Sequence, residues 1–378
     1  MTAQPVAATT QGAGQRIDEG KGRVFPCEQC GADLEFNIGV QSLKCPFCGY
    51  VKALQIEAGA VVNEQDYHAM LDSLARKRQQ EIALPESVQV HCSSCGATVT
   101  FTGSLTSSQC AYCGSPTQRE GVHTSRKRVP VDGVLPFLVE RKTASANLKK
   151  WVKSRWFAPN EFLRRGVAGR FNGIYMPFWT FDTMTANRYT GERGEHYWVT
   201  VGSGDKKRRE LRIRWYPAGG AFERFFDDVL VCAAIGLPLP QVQALEPWPL
   251  HQCRPFNPAM LAGYLAETYK LTLTEGFSAA KKRMDAVLRA DVRRRIGGDT
   301  QRIHDITTRY NAVTYKHLLL PVWLLTYQYR QQPYRVVVNA STGEVQGERP
   351  YSWVKITFAV LVGLAVAGVI GWFWYANQ

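Results

Sequence analysis

Residues 27–48 read CEQCGADLEFNIGVQSLKCPFC, and residues 92–113 read CSSCGATVTFTGSLTSSQCAYC. In each block a CxxC pair is followed by fourteen residues and a second CxxC pair, and the blocks lie 65 positions apart. Gly31 and Gly96, Ala32 and Ala97, Phe36 and Phe101, and Gly49 and Gly114 repeat at the same offset, so the module is duplicated. Two residues between thiolates let a tight turn aim both sulfurs at one ion. A glycine after the pair supplies the backbone angle that turns amides toward the sulfurs. The spacing predicts two tetrahedral sites, Cys27, Cys30, Cys45 and Cys48 in one and Cys92, Cys95, Cys110 and Cys113 in the other, with zinc as the ion in each. Iron in the same cage stays open, because CPFCG at Cys45–Gly49 also suits a rubredoxin-like knuckle. A closed four-thiolate site has no open coordination position, so a structural role is expected rather than a catalytic one. The stretches between the pairs suit a hairpin but are too small to bury a core. Metal binding is therefore expected to contribute much of each ribbon's folding free energy.

The rest of the chain is a folded protein of several modules. Its 378 residues exceed one ordinary domain, and 45% hydrophobic, 11% aromatic and 21% charged residues exclude wholesale disorder and fibrous repetition. The expected organisation is a disordered tail over 1–22, zinc ribbons over 23–56 and 87–118 with a helical spacer over 57–86 between them, a basic linker over 119–129, an α+β domain over 130–352 and a transmembrane helix over 353–376. In the α+β domain, Ala144, Leu148, Trp151, Val152 and Trp156 share a helical face. Tyr175–Phe181, Tyr197–Val201, Leu211–Trp215, Leu318–Tyr329 and Tyr334–Val338 read as strands. Asn257–Pro258 opens a helix through Thr268, and Ser278–Ile296 forms a basic one. A fainter repeat links IYMPFW, ending at Trp179, with LLLPVW, ending at Trp323. Cys232 and Cys253 read as ordinary thiols.

Ile356–Tyr375 holds twenty residues without a charge, enough to cross a hydrocarbon core of about 30 Å. Arg349 and Lys355 precede it and nothing basic follows, which predicts a single-pass protein of the bacterial inner membrane with its N-terminal bulk in the cytoplasm. The N-terminus lacks the pattern of a secretory signal, and a reducing compartment favours metal-bound over disulfide-linked cysteines. Gly363, Ala367 and Gly371 form a small-residue stripe suited to helix–helix association.

Lys and Arg number 46 against 32 Asp and Glu, which favours anionic partners such as lipid head groups, nucleic acid or acidic proteins. The sequence lacks GxxxxGK[ST], GxSxG, HExxH and GxGxxG, so no enzymatic activity is expected. The two ribbons, VLPF at 134–137, GIYMPFWTFD at 173–182 and the run from Pro321 through VNASTGEVQGERPYS to the apolar helix resemble a group of bacterial membrane-anchored, TFIIB-type zinc-ribbon proteins. Members are often labelled primosomal helicase-like, and genes of relatives lie near those for PspA-type, TPM-domain and SPFH envelope-stress proteins. The resemblance implies a membrane-associated recruiting role. The leading expectation is an adaptor whose ribbons dock a cytoplasmic protein partner while basic helices face anionic lipid. The alternative is a membrane-tethered nucleic-acid binder using Lys206, Lys207, Arg208, Arg209, Arg212 and Arg214 on phosphate. Against nucleic acid, Lys44 is the one basic residue between Cys27 and Cys48, and there is none between Cys92 and Cys113.

Overall fold

The computed structural model describes residues 25–54, 60–76, 87–91, 98–102, 105–109, 116–118, 128–155, 157, 159, 171–203, 207–234, 239–329, 332–348 and 351–376. The tail expected over 1–22 and most of the expected linker lie outside them. The first ribbon is a three-stranded antiparallel sheet of β1 (Glu35–Asn37), β2 (Ser42–Lys44) and β3 (Val51–Lys52). A short strand β4 (Gln65–Asp66) leads into α1 (Tyr67–Arg76). The helix expected in the spacer over 57–86 begins at Tyr67, and residues 77–86 lie outside the described residues. It is no free spacer, since Tyr67 packs edge-on against Phe181 and lies 4.8 Å from Phe277. The second ribbon region contributes β5 (Ser87–His91), β6 (Thr98–Thr102), β7 (Leu105–Gln109) and β8 (Pro116–Gln118).

The body follows as β9 (Gly133–Val134), α2 (Arg141–Lys153), β10 (Asn172–Val201), β11 (Arg208–Phe226), β12 (Val231–Cys232), α3 (Leu239–Gln243), β13 (Arg254–Pro255), β14 (Leu265–Glu267), α4 (Leu273–Ile296), β15 (Thr300–Tyr329), β16 (Gln332–Asn339) and β17 (Val345–Gly347). Its spine is the antiparallel pair of β10 and β15, each 30 residues long. Residues 173–183 of β10 are buried without interruption, because both faces of the sheet are covered there. Past the irregularity between Asp182 and Met184, burial alternates and one face opens to solvent. The separate strands read at Tyr175–Phe181 and Tyr197–Val201 are thus one strand. The intervening TMTANRYTGERGEH has no apolar run to announce it, and β11 and β15 hold it extended from either side.

Two helix boundaries differ from the sequence pattern, each for a local reason. Asn257 does cap the Ala259 amide at 3.0 Å, but the helix is one 3-10 turn, Pro258–Leu261, after which Gly263 at φ +86° redirects the chain into β14. The basic helix α4 begins at Leu273 rather than Ser278, because Thr272 and Glu275 form a reciprocal capping box.

The repeat glimpsed in IYMPFW and LLLPVW becomes a local two-fold axis. Met176 pairs with Leu320, Tyr175 with Pro321 and Pro177 with Leu319, so rotation about the Met176–Leu320 pair exchanges Pro177 with Pro321 and Trp179 with Trp323. The flanking elements obey the same exchange. β14 runs parallel to β10 at Ile174 and Tyr175, and β9 runs parallel to β15 at Leu318 and Leu319. Trp179 Nε1 donates to Leu271 O at 2.9 Å and its ring lies 4.9 Å from Tyr269. Trp323 Nε1 donates to Val139 O at 2.7 Å and its ring lies 4.9 Å from Phe137. Each tryptophan therefore pins the loop between a short parallel strand and the helix that follows it. Pro177 O accepts from Ala233 N and Pro321 O from Ala340 N, so both prolines stand where a neighbouring strand ends and their missing N–H costs no ladder bond.

At the C-terminal side of the body, α5 (Trp353–Ala376) has no buried residue over 353–374, with Lys355, Ile356 and Ala359 half-buried and the rest exposed. The 22 residues Trp353–Trp374 rise about 33 Å, long and apolar enough to span a membrane.

Candidate metal centre

The first ribbon brings its four cysteines together as the spacing predicted. The sulfurs of Cys27, Cys30, Cys45 and Cys48 all lie within 4.8 Å of one another, with Cys27–Cys48 and Cys30–Cys45 each at 3.5 Å. A tetrahedral ion with metal–sulfur bonds of about 2.3 Å needs sulfurs about 3.8 Å apart, so four thiolates in this arrangement can hold one metal ion. Two matching turns build the cage. Gly31 N donates to Cys27 O at 2.9 Å and Gly49 N to Cys45 O at 3.1 Å, and these glycines sit at φ +74° and +77°, where a side chain would be strained.

The turn also sets the charge state of a ligand. Cys48 N donates to Cys45 Sγ at 3.5 Å and, with help from the Phe47 amide, outweighs burial to bring the Cys45 thiol down to about 6. A lowered thiol favours the thiolate, the form a metal binds. For Cys48 the Tyr50 amide pulls downward, yet burial and the crowding of neighbouring sulfurs push the thiol up to about 12. A cation among them removes that repulsion.

The ribbon shares its interior with the body. Phe25, Cys27, Leu34, Phe36, Leu43 and Cys45 are buried in one cluster with Val134, Phe137, Tyr175, Tyr264 and Trp323. Phe36 N donates to Ala262 O at 3.0 Å and Gln41 Nε2 to Phe137 O at 2.9 Å. The far side is open: Phe47, between Cys45 and Cys48, is 82% exposed, and Val40 and Val51 are exposed nearby.

Cys92, Cys95, Cys110 and Cys113 lie outside the described residues, but the strands around them repeat the first ribbon's pairing. The bridge Pro26–Asp33 recurs 65 residues on as His91–Thr98, and Leu43–Lys52 and Lys44–Val51 recur as Ser108–Thr117 and Gln109–Pro116. This second set of strands joins the same part of the body. Ser107 Oγ donates to Tyr264 O at 2.7 Å, Thr106 Oγ1 to Ala266 O at 3.0 Å and Gln118 Nε2 to Pro258 O at 3.1 Å. The segment between Pro258 and Glu267 is thus held by both ribbon regions. Cys232 and Cys253 stand apart from any cluster of ligands among the described residues, as expected, and burial pushes both thiols up to about 12.

A charged cluster that the sequence did not single out lies at the middle of the spine. Lys316 Nζ stands 2.9 Å from Asp228, 3.4 Å from Glu64 and 3.8 Å from Asp182, and Thr314 Oγ1 donates to Glu64 at 2.9 Å. Burial pushes the Asp182 carboxyl up to about 7, with Glu64 beside it adding to the rise, while Glu64 is itself held low by its bond to Asp182. Next in the strand, His317 is buried and neutral, lowered to about 4 by desolvation, with Nδ1 2.9 Å from Pro130 O. These residues come from 64, 182, 228 and 316; the register of β10, β15 and β4 brings three of them together, and the bond from Asp228 N to Asp182 Oδ1 adds the fourth from the turn after β11.

No family model matches the chain, and no solved structure matches it. Among known proteins the chain is similar to one from Bacillus subtilis strain 168 that carries the name "Uncharacterized protein YdjG". The two are 26% identical over 233 residues, a stretch that covers 59% of this chain and 64%, less than two thirds, of that relative.

Proposed function

We propose that the protein is a non-enzymatic membrane-anchored adaptor that holds two structural zinc ions and docks a cytoplasmic protein partner on its ribbons, in the service of envelope maintenance. The observation that carries this reading is the two-sided character of the first ribbon. Its thiolate cage is closed to substrate and fused to the body's core on one side, while on the other Phe47 projects from the Cys45–Cys48 turn. An aromatic side chain left in water on a rigid turn suits an anchor that fills a partner's pocket. Support for a second zinc ion comes from the repeated strand pairing around Cys92, Cys95, Cys110 and Cys113. The apolar α5 supports the anchor, with the basic residues ahead of it favouring a cytoplasmic body.

The test is co-purification from detergent-solubilised membranes with wild type and Phe47→Ala side by side. A partner that is retained by wild type and lost from Phe47→Ala, with metal content unchanged, is the expected result. A partner that survives both that substitution and removal of the metal would move the docking surface off the ribbon.

A further inference from the structure

The spine ends in a hairpin that outruns its support. β15 begins at Thr300, opposite Gly194 of β10, and α4 ends at Ile296. Beyond Gly194, therefore, only Glu195–Val201 and Arg208–Arg214 continue as strands, paired with each other and, among the described residues, with no third strand; at their base His196 N donates to Asp299 Oδ2 at 2.7 Å. Seven residues at about 3.3 Å each carry this ribbon about 23 Å past the third strand. A two-stranded hairpin of this kind is marginal in water unless something covers it.

Its chemistry specifies the cover. The register places Trp198 opposite Leu211 and His196 opposite Ile213, so these side chains share one face, and Trp198, Leu211 and Ile213 are 62%, 45% and 41% exposed. The other face carries Tyr197 opposite Arg212, with the Arg214 guanidinium 4.9 Å above the Tyr197 ring, and Arg208 opposite Val201. Across 195–214 there are six Lys and Arg against three Asp and Glu. Tryptophan and aliphatic side chains share one face with Arg209, opposite Thr200, and the long arginines of the other face can reach round the edges of a two-stranded ribbon, which matches the boundary between acyl chains and anionic head groups. Nucleic acid would use the arginines and could stack on Trp198, but it offers nothing to Leu211 and Ile213.

We propose that the β10–β11 hairpin tip is a membrane-surface contact, lying with Trp198, Leu211 and Ile213 in the interface of an anionic bilayer while its arginines meet phosphate. This rests on the reading of α5 as the anchor, and it adds a second attachment at the opposite end of the spine. The sheet would then lie along the membrane instead of projecting from it.

The full chain in nanodiscs provides the test, with hydrogen exchange followed over 195–201 and 208–214. Discs of phosphatidylcholine are compared with discs of equal parts phosphatidylcholine and phosphatidylglycerol. About tenfold slower exchange in the anionic discs, lost in both Trp198→Ser and the combined Arg208→Glu, Arg212→Glu and Arg214→Glu variant, is the expected result. Equal exchange in both discs overturns the proposal, as does protection that appears only when duplex DNA or RNA is added. A chain that never enters the discs refutes the anchor together with this proposal, whereas one that enters and exchanges equally fast overturns the hairpin contact alone.

Discussion

Asp182 is where the buried charges of the spine become measurable. Its carboxyl is raised to about 7 in the fold against 3.8 for the free side chain, so between those values the folded state binds more protons than the unfolded one. Stability then falls as pH rises from about 4 to about 7, and the downward shift of Glu64 offsets part of the loss. The net expectation is that the chain in detergent melts at a lower temperature at pH 8 than at pH 6, by an equivalent of ~1 kcal/mol, since His317, kept neutral by burial, opposes part of the loss. Asp182→Asn, which stays neutral, should flatten that slope, and scanning fluorimetry across the pH range reads it directly. Gly276 gives a second residue-scale expectation. A Cβ there would stand 2.6 Å from Cδ1 of Trp179, a ring that is fully buried and tied to Leu271 O. Gly276→Ala gains helix propensity of about 1 kcal/mol but must displace that ring. A net destabilisation of ~1–3 kcal/mol by thermal or denaturant melting follows.

Among the elements, the ribbon and the capped helix show what a sequence reveals and what it hides. Metal spacing was legible because one ion needs four sulfurs at fixed separations, and the chain writes that need as CxxC pairs. The ribbon's docking onto the segment after Pro258 was not, since it is made by backbone groups such as Ala262 O, which carry no residue signature. Thr272 and Glu275 are a readable start signal, and the capping box sets the true start of α4 five residues before the expected Ser278. Because Cys27 and Cys45 belong to the body's core, removing the metal should do more than unravel a peripheral module. Cys45→Ser, or chelation, is expected to speed hydrogen exchange in β1, β2 and the Pro258–Glu267 segment together. Loss confined to residues 25–54 would show that the shared core contributes little.

Taken whole, the molecule is a duplicated body carrying a membrane-length helix at one end of a long sheet and a bare hairpin at the other. The pattern of Pro177 and Pro321 announced the duplication. Its symmetry stayed hidden, because β9 and β14 are too short to read as strands and pair with partners far along the chain. Removing residues after Val354 should release the chain from membranes under a high-salt wash. Retention on anionic vesicles at low salt only would point to the hairpin's arginines, whose attraction is screened. Elemental analysis of protein purified without chelator should give two zinc ions per chain, and one ion that is lost in Cys45→Ser would assign the metal to the Cys27–Cys48 site.

The pairing of β10 with β15 also imposes a timetable on synthesis. Strand Asn172–Val201 leaves the ribosome well before its partner Thr300–Tyr329, whose last residue is 128 positions further on. At translation rates of about 5–20 residues per second, that delay is about 6–25 seconds. Throughout it, the first half of the body presents an open, strongly apolar strand edge with nothing to close it. Its own β11 and β12 can cover only the opposite edge of β10, and the interval before Tyr329 emerges is when the molecule is most vulnerable to pairing with the wrong strand.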